Sequence, residues 1–491
     1  MARRPAGGRS ARHSFGCRVW PIVTSLRHPL AGLAGAVFLT APWVGTSVAG
    51  VDLGTNGTVL VSGLAVLGAS FLLAWGAETA EKDVPRAFAL AVLAVLAVAP
   101  EYAVDALYAW GAGSGGATTQ ACADLSREAI RLAAEGQGTP LAEACHDANL
   151  AVANMTGANR ILIGLGWAGI AFYTVWQAKR TKDPAVEERD GLLADTVTID
   201  RDLGTEIAFL LAATAWAFAV PLRGGIGVVD TLLLVGLYLV YIGIVIRGDV
   251  EEAEEHVGVP AYFQAKARPV RVAVVLGLLV YSGTMIFTAV EPFAHGLEDI
   301  GLAFGIPEFF MIQWIAPLAS ESPELIVVAV LVNKARSTAG FNALISSKLN
   351  QWTLLIGTLA VVYSIALGTV GTLPFDEKQV AEIWITAGQS LFAIALLIDF
   401  EISLREAFAL FSLFISQVFI EFYILKLSGL APAAAEELSI QVLLAYTAVY
   451  LVAAAALFVL RRNALKDAIG VAADAARTAV GREPTGPGRA D

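Results

Sequence analysis

Two Pro-Glu dipeptides, Pro100-Glu101 and Pro323-Glu324, stand in the middle of long apolar runs. A proline inside a helix lacks its N–H and clashes with the carbonyl four residues back. Pro100 is therefore expected to free the carbonyl of Leu96, and Pro323 that of Ala319. In lipid a freed carbonyl must face protein or a wet cavity. A carboxylate at bilayer depth costs about 2.5–3.5 kcal/mol on insertion scales, so such acids mark ion pathways. Asp105 lies one helical turn beyond Glu101, while Ser320 and Glu321 lie one turn before Glu324. On the next helix Ser346 and Asn350 are four apart and share a face. Carboxylate, carbonyl, hydroxyl and amide oxygens together suit hard cations such as calcium and sodium. Glu101 and Glu324 are the expected metal-holding pair. The plainer alternative is that each acid is protonated or paired with a buried base.

The elements that must position these groups read as membrane spans. Of 491 residues 56% are hydrophobic and only 16% charged, with a mean hydropathy of +0.66; a soluble chain carries about 25% charged residues. Apolar stretches long enough to span, roughly 20 residues, predict about 12 transmembrane helices: 29–49, 57–79, 86–112, 149–175, 203–221, 226–247, 270–290, 302–333, 341–369, 379–398, 405–427 and 436–461. For 29–49 a cleaved signal peptide is the alternative, because Ser47-Val48-Ala49-Gly50 follow it; the long polar lead favours an uncleaved span. Three cysteines exclude a disulfide scaffold or a cysteine-rich metal site. The net charge of −11 comes without a basic, aromatic-rich patch, so no nucleic-acid partner is implied.

The chain repeats itself. Ala99-Pro100-Glu101 answers to Ser322-Pro323-Glu324, and each is followed by a helix with a second shared pattern, Ala153-Asn154-Met155-Thr156-Gly157-Ala158-Asn159 in the first half and Phe341-Asn342-Ala343-Leu344-Ile345-Ser346-Ser347 in the second. Glu78 answers to Glu291 upstream; Glu206 to Glu382 and Asp230 to Glu406 downstream. Two five-helix units result, 57–247 and 270–427, and an odd helix number makes the second enter the membrane from the other side. Inverted repeats of this kind place a substrate site at the midplane and support alternating access. The expected fold is thus an all-α polytopic membrane protein: a basic N-terminus 1–28, an extra helix 29–56, the first repeat, a linker 248–269, the second repeat, an extra helix 428–461 and a tail 462–491.

Twelve spans put both termini on one side, and the positive-inside rule makes that side cytoplasmic. Of 33 Lys and Arg, only Arg127, Arg131, Arg223, Lys378 and Lys426 fall in outside loops, and Arg160 and Lys348 fall within helices. The outside loop 113–148 holds Cys122 and Cys145, which either pair or stay as thiols. The loops 178–202 and 248–269 read as solvated linkers, and the stretch after Arg461 as a fraying amphipathic helix.

These motifs resemble the α-repeats of the calcium/cation antiporter superfamily, approximately Gly-Thr-Ser-x-Pro-Glu followed by Gly-Asn-x-x-Gly-Ser-Asn-x-x-Asn. The second repeat matches as Ala319-Ser320-Glu321-Ser322-Pro323-Glu324, then Asn342, Ser346 and Asn350; the first matches as Pro100-Glu101, then Asn154, Gly157 and Asn159. The resemblance covers about 57–427. It implies that Glu101 and Glu324 are the central ion-binding glutamates, with Ser320, Ser346, Asn350 and Asn154 flanking. The chain departs from the pattern at Ala97, Val98, Ala158 and Leu162, at Glu321, and at the bases Arg160 and Lys348, for which Asp105, Glu321, Glu206 and Glu382 are candidate partners.

The expected function is sodium- or proton-coupled calcium exchange, with a monovalent cation/proton antiporter as the alternative. No cofactor is expected beyond the transported cations, and the partners are those cations and the lipid bilayer of a bacterial inner membrane. An intramembrane hydrolase using Glu101 with Asp105, or Glu321 with Glu324, is the competing class. The chain has neither His-Glu-x-x-His nor Gly-x-Ser-x-Gly to support it.

Overall fold

The computed structural model describes residues 29–84, 86–134, 137–247, 258–306 and 308–479. The basic N-terminus, the end of the tail and residues 248–257 of the expected linker lie outside the described residues. The fold is helical. Its long helices are α1 (Pro29–Ala49), α2 (Gly54–Ala80), α3 (Arg86–Ser114), α4 (Pro140–Ile161) continuing into α5 (Ala168–Thr181), α6 (Gly204–Ala217) and α7 (Val228–Val245). After these come α8 (Arg268–Ala303), α9 (Ser322–Asn333), α10 (Ser337–Asn350) continuing into α11 (Ile356–Leu367), α12 (Glu377–Leu397), α13 (Leu404–Phe422), α14 (Pro432–Leu460) and α15 (Arg462–Ala479).

Among the described residues ten helices are long and apolar enough to cross a membrane, or eleven when the bent pair ending in α9 is one span. Their outward faces carry large apolar side chains such as Phe38, Leu60, Leu232 and Val452, all exposed, as lipid contact demands. Inside, α2 and α8 lie along one another around Ala65, Val66, Ala69, Ile286 and Ala289, with Val327 and Leu331 of α9 closing that cluster. A larger core joins α4, α5, α6, α10, α11 and α12 around Trp167, Phe341, Trp352 and Tyr363.

Several expected boundaries shift. The span expected at 149–175 runs from Pro140 to Thr181. Its polar first turns hide it in a hydropathy reading, yet Thr139 caps it by accepting from Ala142 N at 3.3 Å, and proline suits the first helical position. The loop before it contains the short helices Thr119–Ala123 and Arg127–Ala134, and Cys122 is joined to Cys145, Cα to Cα 5.7 Å. The span expected at 270–290 extends over the whole of α8.

The run expected as one helix at 302–333 is broken. A π-helical turn, Met311–Ile315, leads into Ala316–Ser320; the chain then turns at Glu321 and bends by 45° into α9. Pro317 and Pro323 explain the break, since neither can donate to the ladder. The Ala319 carbonyl, expected to be free, is instead taken by the Ser322 hydroxyl at 2.7 Å. Serine one residue before the proline satisfies the group that the proline orphans. The side chains of residues 93–100, with Ala97, Val98 and Pro100 among them, lie outside the described residues.

The stretch 178–202, expected as a solvated linker, is partly built into the fold. Its strands β1 (Val186–Glu187) and β2 (Thr196–Thr198) form an antiparallel sheet with β5 (Glu401–Ser403), and Val197 faces Ile402 across it, both fully buried. A second ladder pairs β3 (Gly225–Ile226) with β4 (Leu373–Pro374), with buried Ile226 facing Leu373. The two sheets lie at opposite ends of α6, and each joins a connection of the first half to one of the second. After β3, Asp230 accepts from Gly227 N at 2.9 Å; after β5, Glu406 accepts from Ser403 N at 2.8 Å. The acids matched in the sequence, Asp230 and Glu406, thus both cap helices from the third position. Both also pair with arginine, Arg223 and Arg461 respectively. The tail after Arg461 does not fray at once: α15 packs against the start of α6, with Val471 against Gly204 and Ala468 buried.

Candidate cation site

Burial collects the acids of the two Pro-Glu segments. Glu101 and Asp105 on α3, Glu321 at the break and Glu324 in the first turn of α9 are each no more than 1% exposed. The side chain that joins two of them, Glu101 and Glu321, is Gln351, which the motifs did not single out. Its Nε2 donates to Glu101 at 2.8 Å and to Glu321 at 3.2 Å. One amide on the helix of the second half therefore holds a carboxylate from each half. The only signal in the sequence was a second polar residue, directly after Asn350, in an apolar stretch.

The flanking residues divide. Asn350 accepts from the Tyr102 hydroxyl at 2.9 Å, one residue past Glu101, so it belongs to the cluster. Asn154 donates to Asp105 at 2.8 Å and orients that carboxylate. Ser320 turns back to the Pro317 carbonyl at 3.1 Å. Ser346 donates to Asn342 at 3.2 Å and lies 3.5 Å from the Tyr241 hydroxyl, which donates to Glu206 at 3.1 Å. Ser346 is thereby engaged with a neighbouring polar group built on α6 and α7.

Close helix approach is needed to bring these groups inward. A Cβ on Gly157 would stand 1.8 Å from the Gln313 carbonyl oxygen, so only glycine lets α4 reach the π-helical turn before the break. Further π-helical turns follow α4 and α10 at corresponding places, Leu162–Trp167 and Gln351–Leu355. A π-turn rotates the residues beyond it relative to those before, and the second of these turns begins at Gln351 itself.

Buried polar atoms normally find partners, and here several do not. Glu101 Oε1, Asp105 Oδ2, Glu321 Oε2, both oxygens of Glu324 and Gln351 Oε1 are buried without a hydrogen bond. A cluster of oxygens that accept nothing from the protein is chemically fit to receive a cation or protons. Glu101 and Glu324 are the two that motif and burial both single out.

The two intramembrane bases have unlike partners. Arg160 pairs with Glu382, donates to Gln417 Oε1 at 3.3 Å, and lies over Trp314 at 4.6 Å. That is one of the acids expected for it. Lys348 does not reach the acids expected for it within ion-pair distance: it donates to Asn159 Oδ1 at 2.7 Å and to the Asn159 carbonyl at 3.3 Å, and lies over Trp352 at 4.3 Å. Asn159 fills the space where a carboxylate was expected.

Away from the cluster, at the end of α2, Glu78 pairs with Lys334 at 2.6 Å and with Arg336 at 3.3 Å, while Arg336 also pairs with Glu81 at 2.8 Å. Nearby, the Arg271 guanidinium hydrogen-bonds Asp83 at 2.6 Å and holds that carboxyl below its ordinary value. Glu291, matched to Glu78 in the sequence, has no such setting; it is half exposed, 3.9 Å from His295.

The family model described as sodium/calcium exchanger protein matches residues 138–247 and 274–423. The crystal structure of the H+/Ca2+ exchanger CAX is similar over 91% of this chain and 98% of its own, at 39% identity and a TM-score of 0.72. A structure of the sodium-calcium exchanger NCX_Mj, soaked with sodium and strontium, is similar over 74% of this chain and 97% of its own. At 16% identity and a TM-score of 0.50 it speaks for the fold alone. No curated protein sequence matches the chain. The family match, the CAX likeness over nearly the whole chain and the apolar helices lead to one conclusion: the chain belongs to the sodium/calcium exchanger protein family of membrane cation antiporters.

Proposed function

We propose that this exchanger moves calcium against protons, at a midplane site formed by Glu101, Glu324, Glu321 and Asp105, with Asn350, Asn154, Ser320 and Ser346 flanking it. The observation that carries the reading is the group of four buried carboxylates, two of which, Glu101 and Glu321, share Gln351 as donor, with five of the group's oxygens unpartnered. Isolated charges are too costly to bury bare, so the empty group has to hold protons. A calcium ion, which prefers six to eight oxygens, would displace them on arrival. Proton release on calcium binding is the coupling itself. The similar CAX is an H+/Ca2+ exchanger, in line with this reading.

The fold reading that goes with it is two inverted five-helix repeats, counting α3 with the spans to give twelve, and both termini cytoplasmic in a bacterial inner membrane. The paired ladders at opposite ends of α6 and the matched caps at Asp230 and Glu406 support the inversion. The deciding measurement is calcium uptake into sealed vesicles under an imposed pH gradient without sodium, and under a sodium gradient at equal pH. Uptake is expected in the first and not the second. The opposite pattern would replace protons by sodium as the coupling ion, and proton-driven sodium flux without calcium flux would make the protein a monovalent antiporter.

A further inference from the structure

Five residues, Ala316–Ser320, separate the acid Glu321 from the π-helical turn Met311–Ile315. They leave little slack: the Glu321 N–H donates to the Pro317 carbonyl at 2.8 Å, and the Ser320 hydroxyl donates to it at 3.1 Å. Where the π-turn goes, Glu321 follows, and with it the first turn of α9 that carries Glu324. Neighbouring residues of the turn meet α4 at two points. The Gln313 carbonyl lies in the notch at Gly157, and the Trp314 ring lies under the Arg160 guanidinium at 4.6 Å. Gly157 and Arg160 are three apart and share one face of α4.

The guanidinium is itself anchored. It pairs with Glu382 on α12 and donates to Gln417 on α13 at 3.3 Å, while Gln417 donates onward to Glu421 at 2.9 Å. The Arg160 carbonyl accepts from Gln389 on α12 at 3.4 Å. Arg160, Glu382 and Gln417 are buried, so these bonds act at low local dielectric. On its other side Trp314 meets Phe414 of α13 edge to face, ring centres 5.7 Å apart. A guanidinium is planar: its edge donates hydrogen bonds while its face stacks on a ring, which an ammonium cannot reproduce.

We propose that Arg160 is a positioning residue for the cation site: anchored on Glu382 and Gln417, it fixes through Trp314 the π-turn from which Glu321 and Glu324 are placed, and so sets how closely those carboxylates close on a cation. This role rests on the reading that the carboxylates hold calcium, and adds a determinant of ion size that lies outside the site. Calcium takes its oxygens at about 2.3–2.6 Å, so a shift of a few tenths of an ångström in the turn reaches the bound ion. With the contact between guanidinium and ring loosened, Glu321 and Glu324 can spread, and a larger divalent cation fits as well as calcium.

The test is equilibrium binding of radioactive calcium to the purified full-length protein, with barium as competitor. Arg160→Lys keeps a charge opposite Glu382 and loses the stacking face; Trp314→Leu removes the ring. Each should raise the calcium dissociation constant about tenfold and bring barium closer to calcium in affinity, with the number of sites per folded protein unchanged. Because both act through one contact, the double variant should bind no worse than the weaker of the two. A merely structural role would lower the number of competent sites and leave the constant and the calcium-over-barium preference as in the wild type. That result in Arg160→Lys and Trp314→Leu overturns the proposal, as do losses that multiply in the double variant. Should Trp314→Leu not assemble, Trp314→Phe keeps a smaller ring with a weaker hold on the guanidinium. Its constant should rise severalfold, and a wild-type constant there overturns the proposal equally. Glu324→Gln separately tests the reading beneath: calcium bound as in the wild type would remove the carboxylate site itself. Binding lost in Glu324→Gln but unaltered in the Arg160 and Trp314 variants would defeat the positioning role alone.

Discussion

The amide nitrogen of Gln351 lies 2.8 Å from a carboxylate oxygen of Glu101 and so joins the second half of the chain to the acid of the first. The same nitrogen reaches Glu321. Gln351→Leu removes both bonds without adding charge, and leaves two carboxylates without their shared donor. Calcium uptake by this variant should fall at least tenfold in apparent affinity, on the order of the loss of one or two hydrogen bonds to charged groups. Initial rates against calcium concentration measure it, and an unchanged half-saturation would remove Gln351 from the site.

Glu101→Gln and Glu324→Gln should each abolish exchange while the protein still reaches the membrane. Both glutamates are buried, and the oxygens of Glu324 have no hydrogen-bond partner of their own. An amide keeps the shape and removes the charge. Near-normal flux in either variant would mean that the cation binds elsewhere.

Breaking the Arg160–Glu382 pair from one side strands a buried charge, which costs about 3–5 kcal/mol. Arg160→Met and Glu382→Met should each lower the melting temperature in detergent strongly. The double replacement should recover much of the loss, because it leaves neither charge unpaired. A double variant as unstable as the sum of the single ones would show that the pair is not the source of the effect.

Asp83 lies beyond the end of α2, and its carboxyl is held below the ordinary value of 3.8 chiefly by the hydrogen bond from Arg271. A lowered value in the folded state means that the pair stabilises above pH 3.8, and that this contribution is lost as the pH falls through the lowered value. Asp83→Asn should therefore melt below wild type at neutral pH, with the gap closing in strong acid. A gap that stays constant down to the acid limit would mean that Asp83 acts by packing rather than by charge.

How much of this was legible in the sequence depends on range. The spans, the break-prone Pro-Glu segments and the acids Glu101, Glu321 and Glu324 could be read from hydropathy and proline chemistry, because those act locally. The start of α4 was missed because Glu143, His146 and Asp147 are polar while the cap at Thr139 and the Cys122–Cys145 bond hold the turn. Gln351 was missed because its importance depends on a contact with a residue 250 positions away. The acid partner of Arg160 was among the candidates, whereas Lys348 was expected to find a carboxylate and found Asn159, a choice between neighbours that spacing along one helix does not decide. The fate of the Ala319 carbonyl turned on a single hydroxyl, that of Ser322.

The two short ladders have a mechanical consequence. Val197 with Ile402 at one end of α6, and Ile226 with Leu373 at the other, lace the first half to the second at both rims. Elements laced at both rims act as a chassis: they resist sliding along their own axes, since either rim would have to unzip. Among the described residues no strand engages α2 or α8, which pack chiefly on each other. The charged clasp of Glu78 and Glu81 with Lys334 and Arg336 ties the end of α2 to the turn between α9 and α10. The pair α2 and α8 is thus joined to the rest of the fold through side-chain packing and that clasp, without a backbone ladder among the described residues.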